Sequence, residues 1–391
     1  MHKQTILRSL FSLILVVLVV LPVFAASEDF LFEDNGSSDL FGTDMLVQEV
    51  GETNLLLDDL LLSNADGVQI GGSYSFTVTP AWSKDFDTDA SRSSLATKMN
   101  ATLDFDARPD TDIRIYGRAD VAYHQVNGSD SLSITLMELF SDFSVHDQLF
   151  FRVGKQTLTW GVGYFFSPAD LLNVNSINPF DAEADREGAM AVKVNMPIGM
   201  DNLYGYIKVP EDANDSSDLA FAAKYEKVLG KTEFGFGTFY QDGKDPSAMI
   251  TVSSGIQDIS LFGEAVATYG EDGVYFQGTV GNQFSWSSSE SNLGFTFVGQ
   301  YNYNGKPTAI HNHLDHAAAV HTTFSLTDSL SFGFFYLGYL SDFSGMLKPS
   351  LSWSPVDYIQ MTFDVSFPYG GFGNNQFTTF SLGFSLGGTD F

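Results

Sequence analysis

Hydrophobic and polar positions alternate in short runs of about ten residues from Val68 to the end of the chain, with turn residues between the runs. Ile113 and Ile115, for example, share one face of such a run, whereas Arg114 and Arg118 share the other. Alternation with a period of two predicts β-strands that have one apolar and one polar face. Its repetition along most of the chain is typical of a transmembrane barrel.

Eighteen of these runs are predicted to be strands, and the number is even, as bacterial single-chain barrels require. They lie at 68–81, 95–107, 112–124, 131–144, 148–160, 188–197, 201–209, 218–228, 231–241, 246–254, 257–269, 273–286, 292–304, 314–326, 329–341, 345–353, 356–367 and 375–387. Joining one hairpin differently would give sixteen. The predicted fold is therefore all-β, a transmembrane antiparallel β-barrel of about 16 to 18 strands, with eighteen favoured.

The longest irregular segment between the first and last strands is the loop at 161–187. A connection of this length inside a tightly spaced array of strands is usually functional. Its aromatic side chains need a surface to pack on, and its acids need water or cations. We therefore expect the loop to fold into the mouth of the barrel and narrow a pore. The aromatic residues expected to pack there are Trp160, Tyr164, Phe165 and Phe166, and the acids expected to line the constriction are Asp170, Asp181, Glu183 and Asp185.

The first 25 residues have the three parts of a secretory signal peptide: basic Lys3 and Arg8, an apolar run, and a small residue, Ala25, at the cleavage site. The apolar run is shorter than a spanning helix needs. Residues 26–67 form an acidic, leucine-rich leader, which we interpret as a periplasmic segment or a plug; a poorly ordered leader is an equal alternative. The barrel is assigned to 68–391, and its aromatic last strand and terminal Phe391 resemble the signal read by the barrel-assembly machinery.

Composition narrows the function classes. The formal net charge is −29, and removing Lys3 and Arg8 with the signal peptide makes it −31, which excludes nucleic acid as a default partner. The chain has no Cys, which excludes disulfides, thiolate metal sites and a Cys nucleophile. High contents of Gly, Phe and Tyr fit aromatic girdles and alternating strands.

Charged residues are predicted on the lumen face of the second to eighth strands, which surround the long loop. In one interpretation, a basic wall faces an acidic loop and produces a transverse field that screens solutes by charge. In the other, each base pairs with a neighbouring acid of the wall, so that no charge is left unpaired. The bases are Lys98, Arg114, Arg118, Arg152, Lys193, Lys208 and Lys224, and the wall acids include Glu138 and Asp142.

Catalytic and metal-binding motifs give little signal. The sequence has no nucleophile elbow and no H-E-x-x-H motif, so the chain is not expected to be an enzyme. His311, His313 and His316 are spaced as weak candidates for a zinc or copper site, although an exposed loop that contains histidines is the simpler interpretation. No metal and no cofactor is predicted.

A resemblance adds to this interpretation. The pieces Phe-Phe-Arg-x-Gly-Lys-Gln at 150–156, Thr-Trp-Gly-Val-Gly-Tyr-Phe-Phe at 159–166 and Ser-Pro-Ala-Asp-Leu-Leu-Asn at 167–173 resemble a family of spirochaete outer-membrane barrel proteins with no assigned substrate. The shorter Gly-Lys-Gln and Trp-Gly core is similar to a motif of porin-type and alginate-export-type barrels. The resemblance implies a channel-like outer-membrane protein and names no solute.

The sequence thus predicts an outer-membrane, porin-like channel for passive diffusion of small hydrophilic solutes, narrowed by the loop at 161–187. One alternative is a transporter for hydrophobic ligands such as fatty acids. The other is a plugged barrel that serves as a surface adhesin or structural protein. The expected partners are the lipid bilayer of the outer membrane, the barrel-assembly machinery and the solutes; the oligomeric state is left open.

Overall fold

The computed structural model describes residues 68–211, 213–271, 273–288, 292–306, 316–372 and 377–387. Eighteen β-strands make up most of these residues, as the alternating runs predict. They are β1 (Val68–Asp85), β2 (Ser91–Asp110), β3 (Ile113–Val126), β4 (Ser129–Val145), β5 (Leu149–Gln156), β6 (Ala189–Ile198), β7 (Asp201–Val209), β8 (Ala220–Leu229), β9 (Thr232–Gln241), β10 (Ser247–Ile256), β11 (Ile259–Gly270), β12 (Gly273–Ser287), β13 (Gly294–Asn304), β14 (His316–Thr327), β15 (Leu330–Tyr339), β16 (Ser344–Val356), β17 (Ile359–Tyr369) and β18 (Phe377–Gly387).

The strands form one closed antiparallel sheet. Each strand pairs with the strands before and after it in the sequence, and β18 pairs with β1, where Ser75 lies opposite Gly387 and Asp85 opposite Phe377. Closure leaves no unpaired sheet edge, which is what allows strands to cross a membrane. The prediction of an all-β, eighteen-stranded barrel is confirmed.

The two faces of the sheet differ in polarity. Ile70 and Ile134 belong to the outward row and are 74% and 73% exposed. In the same region, the inward row pairs Asp104 with Arg118. Apolar side chains this exposed, repeated around the whole barrel, require an apolar surrounding, which a lipid bilayer provides.

Aromatic side chains form an outward band near the end of the barrel at which β12 and β14 end. Trp286, Phe295, Phe324 and Phe332 lie opposite one another on four successive strands. The ring centroids of Phe295 and Phe324 are 4.7 Å apart. Such a band is the aromatic girdle expected where a transmembrane barrel meets the membrane interface.

A β-bulge on β4 keeps the inward and outward rows in phase. Arg118 lies opposite Glu138, and the next residue, Ala119, lies opposite Leu136, so Met137 has no partner on β3. A bulge places two residues of one strand against one of its neighbour. Without this extra residue, half of β4 would turn its apolar side chains into the lumen.

The connections are short at one end of the barrel and mostly longer at the other. At the end with the longer connections, the link between β3 and β4 is an exception: it is the two-residue turn Asn127-Gly128, and both residues have positive φ, 50° and 86°, as the hairpin turn types favoured by Asn-Gly require. The longest connection joins β5 to β6 across residues 157–188 and is called the constriction loop below.

Several predicted strand boundaries differ from the structure by up to four residues, and the one that bears on the long loop is the end of β5, which lies at Gln156 and not at residue 160. The backbone N–H of Thr157 donates to the Glu138 carboxylate at 2.7 Å, and that of Leu158 donates to the Asn173 side-chain oxygen at 3.0 Å. At Thr157 and Leu158, side-chain acceptors therefore replace the backbone carbonyls of a neighbouring strand. The alternation of Leu158 with Trp160 reflects packing inside the barrel, because both are buried.

Several predictions concern residues outside the described ranges. They include the signal peptide at 1–25, the leader at 26–67 and the terminal Phe391. Within the described ranges, no helix has the length and apolar character needed to span a membrane.

The facing of β17 can be tested by cysteine labelling, since the native chain has no Cys. Met361 lies opposite Trp353 on the outward row, and Thr362 lies opposite Ser352 on the inward row. We expect a membrane-impermeant maleimide to label Thr362→Cys, and to leave Met361→Cys unlabelled in the lipid-embedded protein. The reverse pattern would invert the assignment of faces on this strand.

Candidate constriction site

The constriction loop contacts nearly opposite walls of the barrel. Asp185 of the loop accepts a hydrogen bond from Arg118 of β3 at 2.5 Å, and Phe165 of the loop donates its N–H to Gln300 of β13 at 2.6 Å. In the ring of eighteen strands, β3 and β13 are ten positions apart in one direction and eight in the other. The loop therefore crosses the lumen and does not follow one wall.

Glu264, an inward residue of β11, is the main polar anchor of the loop. Its Oε1 accepts from the N–H of Val162 at 2.5 Å, the N–H of Gly163 at 2.6 Å and the hydroxyl of Ser167 at 2.8 Å. Its Oε2 accepts from the N–H of Ala169 at 2.9 Å. Both oxygens act only as acceptors, which suits a carboxylate. Hydrogen bonds to a charged acceptor are the strong ones, so this set fixes the loop backbone.

Gln300 of β13 provides a second anchor. Its side-chain oxygen accepts from the N–H groups of Phe165 at 2.6 Å and Phe166 at 3.3 Å. Its side-chain nitrogen donates to the carbonyl of Phe166 and to the hydroxyl of Thr279, at 2.5 and 2.6 Å. An amide group can donate and accept at once, so Gln300 forms the hydrogen bonds to this turn of the loop that the backbone of a neighbouring strand would form.

Gly161 and Gly163 allow the anchors to approach the loop backbone. A Cβ on Gly161 would lie 2.0 Å from the Ser167 hydroxyl and 2.5 Å from Glu264 Oε1. A Cβ on Gly163 would lie 1.9 Å from the carbonyl oxygen of Phe166. The Trp-Gly-Val-Gly sequence thus has a structural reason: only residues without a side chain fit between the two polar anchors.

Apolar packing holds the loop in two places. In the first cluster, Trp160 and Leu172 pack against small and aromatic side chains of β6 to β11, and the Trp160 ring meets the Tyr206 ring edge-on at 5.0 Å. In the second cluster, Phe165 packs against Ala319 and Leu337 on β14 and β15. Trp160 and Phe165 are 1% and 2% exposed. Trp160 and Phe165 therefore expose almost none of their surface.

The two ends of the loop are tied together by a buried carboxylate. Asp170 accepts from Arg186 and, at 2.5 Å, from the Asn173 side chain, which also donates to the carbonyl of Leu158. Burial raises the pKa of the Asp170 carboxyl, against the opposing effect of Arg186. The side chain of Asp170 is covered, so this residue braces the loop and does not line the constriction as predicted.

The predicted basic residues face inward, as their register shows, but most are engaged by neighbours. Arg114 lies 2.8 Å from Asp106, Arg152 lies 2.7 Å from Asp142, and Lys224 forms a buried 2.5 Å pair with Glu226 beneath Trp160. Lys193 lies over the Tyr204 ring at 5.0 Å, and Lys208 donates to the carbonyl of Asn173 at 3.3 Å.

Arg118 and Lys155 link the arginine-rich wall to acids of the loop, through Asp185 and Glu187 respectively, while Glu138 is used by Thr157. Arg114 and Arg152 pair with acids of the wall, as the second of the two interpretations of the charged residues expects. For Lys98, no carboxylate of the described residues lies within 4 Å. Two further acids of the loop, Asp181 and Glu183, are exposed.

The wall formed by β16, β17, β18 and β1 is lined by hydroxyl groups. Thr77 lies 3.0 Å from Ser385, Ser83 lies 2.9 Å from Thr379, and Ser352 lies 3.2 Å from Thr362, oxygen to oxygen. Hydroxyls both donate and accept, so such a wall suits water and other polar molecules without bringing a net charge. This hydroxyl-lined wall was not among the features predicted from the sequence.

The histidine candidates form no metal site within the part of the chain that the structure describes. His316 lies 2.5 Å from the Tyr301 hydroxyl, and His311 and His313 lie outside the described ranges. No group of three or more potential metal ligands is found among the described residues.

The two polar anchors, Glu264 and Gln300, were missed by the sequence analysis. The sequence contains two signals of such anchors. Glu264 is the one acid in the inward row of a strand with few polar residues. The closely spaced Gly161 and Gly163 indicate that another group approaches the loop backbone. Neither signal identifies the partner, because more than 90 residues separate each anchor from the loop.

The fold and the site together define a porin-like transmembrane β-barrel with a long loop folded inside its lumen. Residues 61–204 match the model of a family described as a protein of unknown function, DUF1302. That match covers β1 to the first residues of β7 and includes the constriction loop. No curated protein matches the chain.

Solved structures of other proteins are similar to the chain. They include OccK5 (OpdH) of Pseudomonas aeruginosa, at 10% identity and a TM-score of 0.48, covering 81% of this chain and 98% of that one. OprB of Pseudomonas putida is also 10% identical, with a TM-score of 0.44 and coverage of 91% and 100%. OccAB1 of Acinetobacter baumannii is 8% identical, with a TM-score of 0.46 and coverage of 82% and 96%.

The need for glycine between the anchors gives a prediction. Gly163→Ala should loosen the loop by about 1–3 kcal/mol, because the new methyl group overlaps the Phe166 carbonyl, a backbone atom that cannot turn away. We expect faster cleavage of the loop by an added protease in the folded barrel, by about tenfold. Gly205→Ala is the matched control, since a Cβ there meets no atom within 4 Å. Equal cleavage of the two variants would contradict the prediction.

Proposed function

We propose that this protein is an outer-membrane channel through which small hydrophilic solutes diffuse passively, and that the constriction loop sets the effective width of the channel. The observation that carries the proposal is the loop's position: it crosses the lumen between β3 and β13 and is bonded to both walls. An eighteen-stranded barrel is wide enough for an aqueous channel unless something narrows it.

The inner surfaces support a hydrophilic path. The first apolar cluster covers the wall from β6 to β11. The hydroxyl-lined wall from β16 to β1 and the exposed acids of the loop, Asp181 and Glu183, are polar. A solute would pass between these polar surfaces, exchanging hydration for contacts with hydroxyls and carboxylates.

The alternative of a hydrophobic-ligand transporter has less support. It requires a largely apolar path, but Trp160 and Phe165 are buried in the packing that holds the loop, and the exposed Phe180 lies beside the carboxylates of Asp181 and Glu183. The alternative of a plugged adhesin depends on the leader and on surface loops, part of which lie outside the described residues. No observation within the described ranges favours it over a channel.

Planar-bilayer recording from the purified, folded protein tests the proposal. Stepwise openings in symmetrical salt are the expected result, and a salt gradient then gives the reversal potential and the sign of the ion preference. Protein that is folded, as judged by heat-modifiable migration, and that inserts without opening would contradict the channel function.

A further inference from the structure

A cavity of 220 Å³ lies between the constriction loop and the wall formed by β14 to β17. The loop contributes Tyr164, Phe180, Asp181 and Glu183, and the wall contributes Phe335 and Asp364. The cavity is bounded by the exposed acids of the loop. It therefore lies where a solute that passes the constriction would meet both the loop and the barrel wall.

The charges around this cavity do not balance. Three carboxylates line it, those of Asp181, Glu183 and Asp364, and the one ammonium group is that of Lys348. Lys348 lies 3.4 Å from Asp364, so these two charges offset each other. No basic side chain of the described residues lies within 4 Å of Asp181 or Glu183. The formal charge of the lining, with His321 counted as neutral, is therefore −2.

The Glu183 carboxylate is held in place by an aromatic residue of the same cavity. The Tyr164 hydroxyl donates to it at 2.6 Å. Burial and the adjacent carboxylate raise the pKa of the Tyr164 hydroxyl, so the hydroxyl remains a donor. A carboxylate with a fixed orientation and one donor still has acceptor capacity for a ligand.

Aromatic rings, among them Phe180 and Phe335, form another part of the lining. The Phe180 ring lies 5.5 Å from the Phe335 ring and 6.0 Å from the Phe372 ring, at tilted or edge-on angles. Unlike Phe165 beneath it, Phe180 is 45% exposed. An exposed ring face next to unpaired carboxylates attracts cations through its quadrupole as well as through charge.

We propose that this cavity binds a small organic cation, an ammonium or guanidinium group attached to a flat or apolar body, as it passes the constriction. The cation would contact the carboxylates of Asp181 and Glu183, and its apolar part would lie on Phe180. An anion would be repelled by the same carboxylates. A neutral apolar molecule would displace water from the carboxylates without forming hydrogen bonds in its place, which costs free energy. The inference deepens the proposed function and rests on it for the route of the solute.

The test uses three probes that share one ring and differ in charge: benzylamine, benzyl alcohol and benzoate. Each is added to one side of a bilayer that contains single channels of the full protein, and the current is recorded for transient blocks. Binding to detergent-folded protein is measured in parallel by equilibrium dialysis. Benzylamine is expected to block and to bind, and the other two are expected to do so at least about tenfold more weakly.

A matched pair of variants locates the site. The double variant Asp181→Asn with Glu183→Gln should weaken benzylamine block and binding by about tenfold or more, because it removes both unpaired charges. Asp258→Asn with Asp357→Asn removes the same charge from short turns away from the cavity and should leave both unchanged. Asp364→Asn provides an independent change on the wall side, and weaker binding is expected there too.

The outcomes separate the two proposals. Binding that depends on Asp181 and Glu183 in protein without openings would contradict the channel function and support the cation site. Normal openings with equal effects of the three probes would overturn the cation site and leave the channel function standing. Block that persists unchanged in the double variant would also overturn it.

Discussion

Deleting residues 167–185 is expected to raise the single-channel conductance by about twofold or more, because the segment fills part of a lumen that eighteen strands otherwise leave wide. The deletion removes the partner of Arg118, the cavity acids Asp181 and Glu183, and the Ser167 and Ala169 contacts to Glu264. The ion preference should change as well, since Arg118 loses its loop carboxylate and keeps only Asp120, 3.6 Å away, among the carboxylates paired with it.

The deletion is also expected to lower the stability of the folded barrel, so stability must be measured together with the conductance. Leu172 and Ala169 belong to the buried cluster on β6 to β11, and losing their packing uncovers apolar wall. Heat-modifiable migration on a gel shows whether the barrel still folds. Deleting residues 214–217, an exposed stretch between β7 and β8, is the control and should leave the conductance unchanged. Equal conductance of the two folded variants would contradict the proposal that the constriction loop narrows the channel.

The strands and their faces could be predicted from the sequence because a closed barrel repeats one local rule. Each strand has lipid on one side and a polar lumen on the other, so polarity alternates within every run and the pattern is read without knowledge of distant residues. The rule fails where a segment leaves the sheet. Leu158 and Trp160 alternate as a strand does, but their apolar side is buried by the inner wall and not by lipid.

The attachment of the loop could not be predicted, because it joins positions that only closure brings together. Glu264 and Gln300 meet the loop from β11 and β13, far from β5 in sequence and across the ring in space. The pairing of bases was only partly predictable for the same reason. Arg152 bonds to Asp142 on the next strand, as a local interpretation suggests, whereas Arg118 bonds to Asp185 of the loop.

Replacing Glu264 by Ala is expected to release the loop while keeping the barrel closed. The side chain accepts four hydrogen bonds from the loop. A hydrogen bond to a charged group contributes about 1.5–3 kcal/mol, but these four act as a unit and water can replace some of them. A net loss of about 2–4 kcal/mol in the free energy that holds the loop raises the population of the released state by about 30-fold or more.

The released loop should appear as current fluctuations between two levels, because it would alternate between blocking and clearing the lumen on the slow timescale of loop opening. Thr251→Ala is the matched control, since Thr251 lies directly opposite Glu264 in the register and makes no hydrogen bond to the loop within the described residues. We expect quiet openings from the control and fluctuating openings from Glu264→Ala. Quiet openings of parental size from both would mean that apolar packing around Trp160 and Phe165 holds the loop without the carboxylate.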